Sequence, residues 1–439
     1  MKPAKSSTRP AIKVISDNIP MTIGAILTGF LIWSFVLAPY ASNSPVESEE
    51  EEAHHQFAAA ASGDASRHPL SFKSPSSSKS SKSSSSSSSY SHATQYMPER
   101  TDLEFLLNKS LAIDPLLNTS FALGPRITDW DEQRSRWFAD HNQDRDPSKL
   151  LLVTGSQPHP CLNTLGDYML LRSTKNKIDY CRLHGIELFY NAATFSSDLP
   201  SWWVKLPLLR SWMIARPDVE WFWWMDSDAV FTDMAFSIPL DRYKDHNFVL
   251  HGWDHLIYGE RKWTGLNMGI FLVRNCQWTM DLLDTWAPMG FRGIVADRIG
   301  KVLTLALSGR PEDFESDDQG AFIYLLNADR AAWGSRVYLE NAYYLNGYWK
   351  DLVERYEEFA KNSHPGFGDD RWPFVTHFTG CQICSGKINN VYTPEECRRQ
   401  MDRALFFADN QILQGIGYVH PSLATHEIVA AAKSSDEQT

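Results

Sequence analysis

The sequence lacks an excess of positive charge. Its 42 Lys and Arg residues are outnumbered by 53 Asp and Glu residues, so the formal net charge is −11. No dense basic segment is visible beyond four positive residues near the N-terminus, which are Lys2, Lys5, Arg9 and Lys13. Because nucleic acids are bound through basic faces or arms, we expect no nucleic-acid partner.

Cysteine is also scarce, and none occurs before residue 150. The six cysteines are Cys161, Cys181, Cys276, Cys381, Cys384 and Cys397. An even number favours disulfides in an oxidising compartment, although the sequence does not give their pairing. The segment Cys381-Gln-Ile-Cys384 also fits half of a zinc site or a redox motif, but no second C-x-x-C is present to complete a zinc site.

One long apolar run lacks charge, MTIGAILTGFLIWSFVLA at residues 21–38. Its length of about 18 residues just suffices for a helix to cross a bilayer. Basic residues precede the run and an acidic patch follows it, so the bulk of the chain should lie across the membrane from the cytosol. We predict a type II membrane protein with a cytosolic tail (1–20) and a transmembrane signal anchor (21–40). A cleaved signal peptide is the alternative.

Residues 41–124 are rich in serine and poor in apolar residues, which predicts a flexible lumenal stem. Two glycosylation sequons, at Asn108 and Asn118, fit a lumenal location. Continuous globular character follows, and we predict one domain over residues 125–425 with a flexible tail at 426–439.

Strand and helix patterns alternate in this domain. Apolar segments predict strands at 149–156, 186–192, 221–226, 248–253 and 266–274, with helices at 168–181 and 202–217. Such alternation indicates an α/β fold with a parallel or mostly parallel sheet that helices cover on both faces. Ligands bind to these sheets beyond the carboxyl ends of the strands.

Asp226 and Asp228 stand at such a strand end, directly after the apolar segment WFWW. Two carboxylates this close repel each other unless a cation neutralises them, and hard oxygen ligands suit Mg²⁺, Ca²⁺ or Mn²⁺. A turn in which Asp226 caps backbone amides is the alternative. A metal-dependent phosphohydrolase would need further His and Asp clusters, which we do not find.

Several segments resemble the plant Golgi galactosyl- and xylosyltransferase family, whose members have the GT-A fold, a Rossmann-like nucleotide-sugar glycosyltransferase domain. The resemblance covers about residues 125–420 and rests on WFWWMDSDAVFTDM, HGWDHLIYGERKWTGLNMGIFLVRN, DDQGAFIYLL, PFVTHFTGCQICSG and ALFFADNQI. It implies Golgi localisation and a UDP-sugar donor. It also implies that Asp226, Asp228 and His377 bind Mn²⁺, which bridges the two phosphates of the donor; a core histidine is the alternative for His377.

Donor contacts are expected at six further positions, each with a structural alternative. Gly155 and Ser156, with Thr154, end the first strand and would line the uridine, or form an ordinary turn that is no P-loop. Asp179 matches a family segment near the base, or is a solvated helix carboxylate. Lys205 would reach a phosphate, or extend to solvent. Asn267 lies between two glycines that permit close approach of a sugar, or forms a plain turn, and Lys387 would contact a phosphate.

The segment DDQG at 317–320 precedes a helical pattern, so one of its aspartates is expected to cap the helix. The resemblance assigns this segment to the reaction centre of a retaining transferase. Asp318 and Gln319, and with them Asp317, are therefore the candidates for contact with the donor sugar and for charge stabilisation. Pyranose rings stack on exposed aromatic side chains, so the acceptor groove is expected among Trp253, Tyr258, Trp263, Tyr343, Tyr348 and Trp349.

Donor identity depends on the segment between the paired cysteines. Xyloglucan-directed members of the family carry C-K-P-C, whereas this chain has Gln382 in C-Q-I-C. We therefore predict transfer of galactose from UDP-galactose to the 6-hydroxyl of mannose in a β-mannan, with a mannan synthase or other Golgi glycosyltransferases as partners. Transfer of xylose from UDP-xylose to a β-glucan in xyloglucan synthesis is the alternative. A non-catalytic scaffold of a polysaccharide synthase complex is an alternative of another class.

Overall fold

The structure is a computed structural model that describes residues 123–193, 196–382, 384–389 and 391–431. The predicted cytosolic tail and signal anchor, nearly all of the predicted stem, and Asn108 and Asn118 lie outside these residues. No helix in the described part of the chain is both long and apolar enough to cross a membrane. The described residues cover nearly all of the predicted catalytic domain.

Strands and helices alternate as the apolar pattern predicts. The strands are β1 (Leu150–Gly155), β2 (Glu187–Asn191), β3 (Trp221–Met225), β4 (Ala229–Phe231), β5 (Phe248–Gly252), β6 (Leu266–Arg274), β7 (Val337–Glu340), β8 (Gly347–Tyr348), β9 (Val375–His377), β10 (Cys381–Gln382), β11 (Lys387–Ile388), β12 (Tyr418–Val419) and β13 (Val429–Ala430). The helices are α1 (Trp130–Asp140), α2 (Thr164–His184), α3 (Lys205–Ala215), α4 (Gln277–Trp286), α5 (Ile294–Ala306), α6 (Asp318–Ala328), α7 (Trp349–Leu352), α8 (Tyr356–Asn362) and α9 (Pro394–Leu413).

Six strands form the central sheet, in the order β2-β1-β3-β6-β5-β7. The pairs β1–β2, β1–β3 and β5–β7 are parallel, but β6 is antiparallel to both of its neighbours. The connection from β5 to β6 contains only a π-helical turn at His255–Gly259, so it has no crossover helix and β6 returns beside β5. The sheet is therefore mixed, and the prediction of a mostly parallel sheet missed this reversal.

Strand β3 is buried on both faces, as its uninterrupted apolar sequence predicts. Alternate side chains point to opposite faces of a strand. Accordingly Phe222 and Trp224 pack into one core with α3, α4, α5 and α6. Trp221, Trp223 and Met225 pack into a second core that includes residues of α2 and α9. Helices thus cover both faces of the sheet. Strand β3 ends at the carboxyl edge, and Asp226 is the next residue.

Three helices begin at side chains that accept a hydrogen bond from a backbone N–H of the first turn. These residues are Asn163 before α2, Asp317 before α6 and Thr393 before α9. Helix α2 ends at Gly185, which has φ of +65° and so takes the left-handed conformation that glycine permits. These caps fix where α2 and α6 begin, and both helices contribute side chains to the site.

Four of the six cysteines form disulfides, Cys161–Cys384 and Cys381–Cys397. The two cysteines of the C-x-x-C segment therefore have different partners, and the zinc and redox interpretations of that segment are wrong. The remaining two, Cys181 and Cys276, are free and buried, so the even number did not mean complete pairing. The first disulfide joins the loop after β1 to the loop between β10 and β11.

The chain beyond residue 425 includes one strand, β13, which pairs with β12. Val419 pairs with Val429, and Tyr418 with Ala430, in an antiparallel ladder. The predicted domain boundary at residue 425 is therefore too early, because β13 is held by β12 through residue 430.

Candidate functional site

The candidate site lies where the carboxyl ends of β1 and β3 meet the start of β6. The amide of Asp226, one residue beyond β3, donates to the carbonyl of Gly269 in β6 (2.8 Å). Asp228 follows before β4, and β4 pairs antiparallel with β9 so that Ala229 stands opposite His377. The strand-end position that the sequence predicts for the two aspartates is confirmed, and β9 brings His377 to the same place.

Asp226, Asp228 and His377 form one cluster. One potential ligand atom from each residue lies within 4.8 Å of the other two. His377 Nε2 is 3.2 Å from Asp228 Oδ1 and 3.9 Å from Asp226 Oδ2. His377 is buried, and the two aspartates are half-buried and reachable from solvent. Two carboxylates and an imidazole are a donor set that suits a divalent cation such as Mn²⁺.

The electrostatics of this cluster tie Asp228 to His377. Burial acts to raise the pKa of Asp228, but the charge and hydrogen bond of His377 outweigh it, so the pKa is lowered. For His377, burial acts to lower the pKa, and the Asp228 carboxylate outweighs it, so the pKa is raised. Burial, together with repulsion from Asp228, raises the pKa of Asp226. The mutual repulsion of the aspartates is the feature that a bound cation would remove.

Two asparagines orient the histidine. His377 Nδ1 lies 3.1 Å from Asn346 Oδ1, which can accept a hydrogen bond from it. The other ring nitrogen, Nε2, is then the one that faces Asp228. Asn346 Nδ2 donates to Asn267 Oδ1 (2.8 Å), which also accepts from the amide of Gly269 (2.8 Å). The side-chain oxygen of Asn267 thus supports the Asp226–Asp228–His377 cluster through Asn346, and its contact with the donor sugar remains a prediction.

Gly269 permits the close approach at the cluster. A Cβ atom there would overlap His377 Cε1 and would lie 2.8 Å from Asp226 Oδ2. The glycines around Asn267 were expected to admit a sugar, but at Gly269 the group that approaches is the histidine of the protein itself.

Lys205 and Asp318 bring two helix N-termini together beside β6. Lys205 Nζ is 2.6 Å from Asp318 Oδ2 and donates to the carbonyl of Met268 (2.8 Å). Both side chains are buried, at 6 % and 9 % exposure, so the alternative in which Lys205 extends to solvent is wrong. Burial raises the pKa of Asp318 to about 6, although Lys205 opposes the shift. Asp318 is therefore a carboxyl group that ionises near pH 6 and lies within electrostatic range of Asp226.

Asp317 has a structural role, unlike its neighbour. It caps α6, with Oδ1 accepting from the amide of Gly320 and from Trp263 Nε1 (3.1 Å). Its Oδ2 is 2.9 Å from Arg310 Nη2, whose side chain is fully buried. These partners occupy both oxygens, so we revise the catalytic assignment of Asp317. Gln319 is buried at 9 % exposure, and its amide nitrogen donates to the carbonyl of Trp263 (2.8 Å).

The end of β1 forms part of the same edge. Gly155 packs against β2 so closely that a Cβ atom would lie 2.5 Å from the carbonyl of Asn191, and the Ser156 amide donates to that carbonyl (3.0 Å). The Thr154 hydroxyl is buried without a hydrogen-bond partner among the described residues. The Cys161–Cys384 disulfide connects the loop that follows β1 to the loop that leads to Lys387, which is exposed. Contacts of these residues with a donor remain predictions.

Asp179 lies on a different face of α2 from the one that meets the turn after β3. Its carboxylate is 2.6 Å from Lys175 Nζ, which is also 3.0 Å from Asp409 Oδ1 in α9. This ion-pair cluster joins α2 to α9. The contacts therefore favour the interpretation of Asp179 as a helix carboxylate over a contact with the nucleotide base.

Half of the six aromatic residues expected in an acceptor groove are buried in the core. Trp263, Tyr343 and Trp349 are 5 % exposed or less, so their assignment to exposed loops is wrong. Tyr258 and Tyr348 are half-buried, and Trp253 is 40 % exposed. Trp253 follows β5 at the carboxyl edge, and its ring packs on His251 with centroids 4.7 Å apart. Of the six, Trp253 is the most exposed and so the best candidate for stacking with a sugar.

Sequence reasoning missed Lys177, which is 1 % exposed in the middle of α2. Its ammonium donates to the carbonyls of Ala229 (2.6 Å) and Ser227 (3.3 Å) and to Ser173 Oγ (2.9 Å). Burial lowers its pKa to about 7, against the opposing effect of Asp228 and Asp226. A signal was present, because Lys177 falls on the buried stripe of α2 that also carries Met169, Ser173 and Tyr180.

Comparison with known proteins agrees with the resemblance found in the sequence. The model of the galactosyl transferase GMA12/MNN10 family matches residues 146–387. The chain is 56 % identical over 316 residues to xyloglucan 6-xylosyltransferase 2 of Arabidopsis thaliana, covering 71 % of this chain and 68 % of that protein. It is 53 % identical over 324 residues to xyloglucan 6-xylosyltransferase 1 of the same plant, covering 73 % and 70 %.

A solved structure was also matched, the crystal structure of a glycosyltransferase involved in the glycosylation of the major capsid of PBCV-1. The match covers 58 % of this chain and 98 % of that chain, with 14 % identity and a TM-score of 0.35. A TM-score this low supports no conclusion about the fold.

Proposed function

The chain belongs to the galactosyl transferase GMA12/MNN10 family, and from that premise we propose that it transfers xylose from UDP-xylose to the 6-hydroxyl of glucose in a β-glucan backbone. The observation that carries this donor and acceptor is the identity of 56 % and 53 % with two proteins named xyloglucan 6-xylosyltransferases. The site supports the reaction class, because a cluster of residues that suits a cation and a buried carboxyl group stand at one edge of the sheet.

The proposed metal ligands are Asp226, Asp228 and His377. They fit Mn²⁺ because their ligand atoms already converge within 4.8 Å and combine hard oxygens with an imidazole whose orientation Asn346 fixes. When bound, the cation would neutralise the two aspartates and offset the charge that grows on the departing diphosphate.

Asp318 and Gln319 are the proposed groups beside the reacting sugar. In the reaction, the bond from the sugar C1 to the UDP oxygen breaks, and a bond from C1 to the acceptor oxygen forms on the same face of the sugar. The acceptor proton passes to the departing phosphate. Positive charge develops on the sugar ring during this exchange. An ionised Asp318, held by Lys205 at 2.6 Å, would stabilise that charge electrostatically. Gln319 has an amide oxygen that can orient a sugar hydroxyl.

Transfer of galactose from UDP-galactose to a β-mannan is the second candidate. It is favoured by Gln382, an exposed residue in the segment where xyloglucan-directed members of the family carry lysine. Galactose and xylose differ by a hydroxymethyl group and one hydroxyl orientation, so few pocket contacts separate the two donors. We also propose, from the sequence outside the described residues, that the chain is a single-pass type II protein of the Golgi membrane with this domain in the lumen.

The test uses the full-length chain purified in detergent with Mn²⁺. UDP-xylose and UDP-galactose are each offered with cello- and manno-oligosaccharides, and products are identified by mass and linkage. Controls are EDTA, Asp228→Ala in the metal cluster, and Thr393→Ala, which changes a helix cap outside the site.

Xylosylated cello-oligosaccharides that disappear with EDTA and with Asp228→Ala, but persist with Thr393→Ala, are expected. Galactosylated manno-oligosaccharides would replace the first candidate by the second. Gln382→Lys then tests the specificity argument, since it should shift the donor ratio toward UDP-xylose. A folded chain that transfers neither sugar would refute both candidates and favour a scaffold.

A further inference from the structure

Lys177 is a buried cation that the proposed reaction does not use. An ammonium group removed from water is costly unless hydrogen bonds replace its hydration. Its hydrogen-bond acceptors are the carbonyls of Ser227 and Ala229 and the hydroxyl of Ser173. Ser227 and Ala229 are the residues on either side of Asp228. Lys177 therefore binds the backbone of the D-S-D turn, residues 226–228, on the side opposite His377.

Among the described residues, no strand pairs with the turn on that side. Strand β4, which continues from the turn, is the edge strand of the three-stranded sheet β4-β9-β8. Along the free edge, Asn176 of α2 replaces a strand by accepting from the Phe231 amide (2.8 Å) and donating to the Phe231 carbonyl (2.9 Å). One turn earlier, Ser173 donates to the carbonyl of Ser227. Polar side chains of α2 thus bind the backbone of the turn and of β4 at Ser227, Ala229 and Phe231.

We infer that Lys177 is a positioning residue for the metal site, which fixes the D-S-D turn so that Asp228 faces His377. This inference rests on the proposed function only in that it takes Asp226, Asp228 and His377 as the metal ligands. The carbonyls on both sides of Asp228 are bound to one buried group, so the turn cannot rotate without breaking those bonds. On the other side β9 fixes His377, and the Phe378 amide donates to the Asp228 carbonyl (3.1 Å).

Removal of Lys177 should change cation affinity in opposite directions, depending on whether Lys177 acts through its charge or by holding the turn. This difference makes the inference testable. When it is protonated, Lys177 places a positive charge close to the cluster, and as a charge alone it would repel a cation. Its removal would then strengthen binding. If Lys177 acts by holding the turn, its removal weakens binding, because second-layer contacts orient the ligands and their loss commonly reduces metal affinity by about 10- to 100-fold.

The experiment measures Mn²⁺ affinity from the loss of the free-ion EPR signal, on the full-length chain in detergent and without any sugar donor. The variants are Lys177→Met, Ser173→Ala and Asn176→Ala. Lys177→Met removes the charge and the donors at nearly constant length. Ser173→Ala is a milder change to the same turn. Asn176→Ala is the matched control, because it weakens β4 at Phe231 and leaves the contacts of the turn in place.

We expect the Kd for Mn²⁺ to rise about 10-fold or more in Lys177→Met. A smaller rise is expected in Ser173→Ala, with no change in Asn176→Ala although its thermal midpoint falls. If Lys177→Met does not fold, the Kd of Ser173→Ala for Mn²⁺ is the deciding measurement. An unchanged Kd in that variant refutes the inference. Unchanged or tighter binding in Lys177→Met also refutes it. A wild-type chain that binds no Mn²⁺ refutes the proposed metal site, which is a different outcome.

Discussion

Asp317 and Asp318 are adjacent in sequence and have different roles in the structure. Asp317 accepts from Gly320, Trp263 and Arg310, so its oxygens are occupied. Asp318 faces Lys205 in a buried position where its pKa is raised to about 6. Burial disfavours the carboxylate form, and the nearby ammonium only partly compensates. Environment, more than residue type, therefore separates the structural carboxylate from the candidate catalytic one.

The ionisation of Asp318 should appear in the pH dependence of transfer. The proposed role requires the carboxylate, which is lost as pH falls through the folded-state pKa, so we expect kcat/KM to decrease below about pH 6. Asp318→Asn should reduce the rate about 100-fold or more, as the loss of a group that stabilises transition-state charge commonly does. The measurement is the pH–rate profile with saturating Mn²⁺. Wild-type activity in Asp318→Asn would contradict the assignment.

At the scale of elements, the N-terminus of α6 is fixed by side chains that lie outside the helix. Arg310 lies seven residues before Asp317, and Trp263 lies 54 residues before it. Arg310 also donates to the carbonyls of Gly300, Phe314 and Glu315, so it anchors the loop between α5 and α6. The sequence predicts a helix after DDQG and a cap at one aspartate. Which aspartate is the cap depends on where Arg310 and Lys205 lie.

Asp317→Ala should destabilise the protein far more than the loss of an ordinary cap. It leaves the buried Arg310 without its carboxylate partner, and breaking a buried pair from one side costs about 3–5 kcal/mol. Thr393→Ala is the matched control, because Thr393 caps α9 at an exposed position and its loss costs about 1 kcal/mol. Thermal unfolding of both variants checks the comparison. Equal shifts in Tm would contradict the structural role of Asp317.

At the scale of the whole molecule, disulfides link parts of the chain that are far apart in sequence. Cys161 and Cys384 are separated by 223 residues, and their bond holds the loop after β1 beside the loop between β10 and β11. Cys381 and Cys397 are 16 residues apart and connect β10, the strand that leads into that second loop, to α9. The loops at the carboxyl edge of the sheet are therefore tied to the body of the domain by covalent bonds.

The disulfide pattern predicts a simple count of thiols. Alkylation of the denatured, unreduced chain should modify two cysteines, Cys181 and Cys276, and alkylation after reduction should modify all six. Burial raises the pKa of both thiols, that of Cys181 to about 12, so neither should react before denaturation. Mass spectrometry of the peptides gives the count. Six modified cysteines without reduction would contradict the pairing.

The sequence by itself determined the features that depend on local pattern. The apolar runs predicted strands β1, β2, β3, β5 and β6 to within one residue at each end. For β3, which is buried on both faces, the reason is that such a strand requires an unbroken apolar sequence. The position of Asp226 and Asp228 followed from the same pattern, since ligands bind beyond strand ends. The match of the family motifs pointed to His377, and the family itself is confirmed.

Only the tertiary structure decided which distant groups meet. The pairing of β4 with β9 brings His377 to Asp228, and the antiparallel return of β6 places Gly269 and Asn267 beside them. The burial of Lys177, the choice between Asp317 and Asp318 and the pairing of the cysteines likewise depend on contacts between residues far apart along the chain. Local pattern records how a segment is buried, but the identity of its neighbours is set by how the whole chain packs.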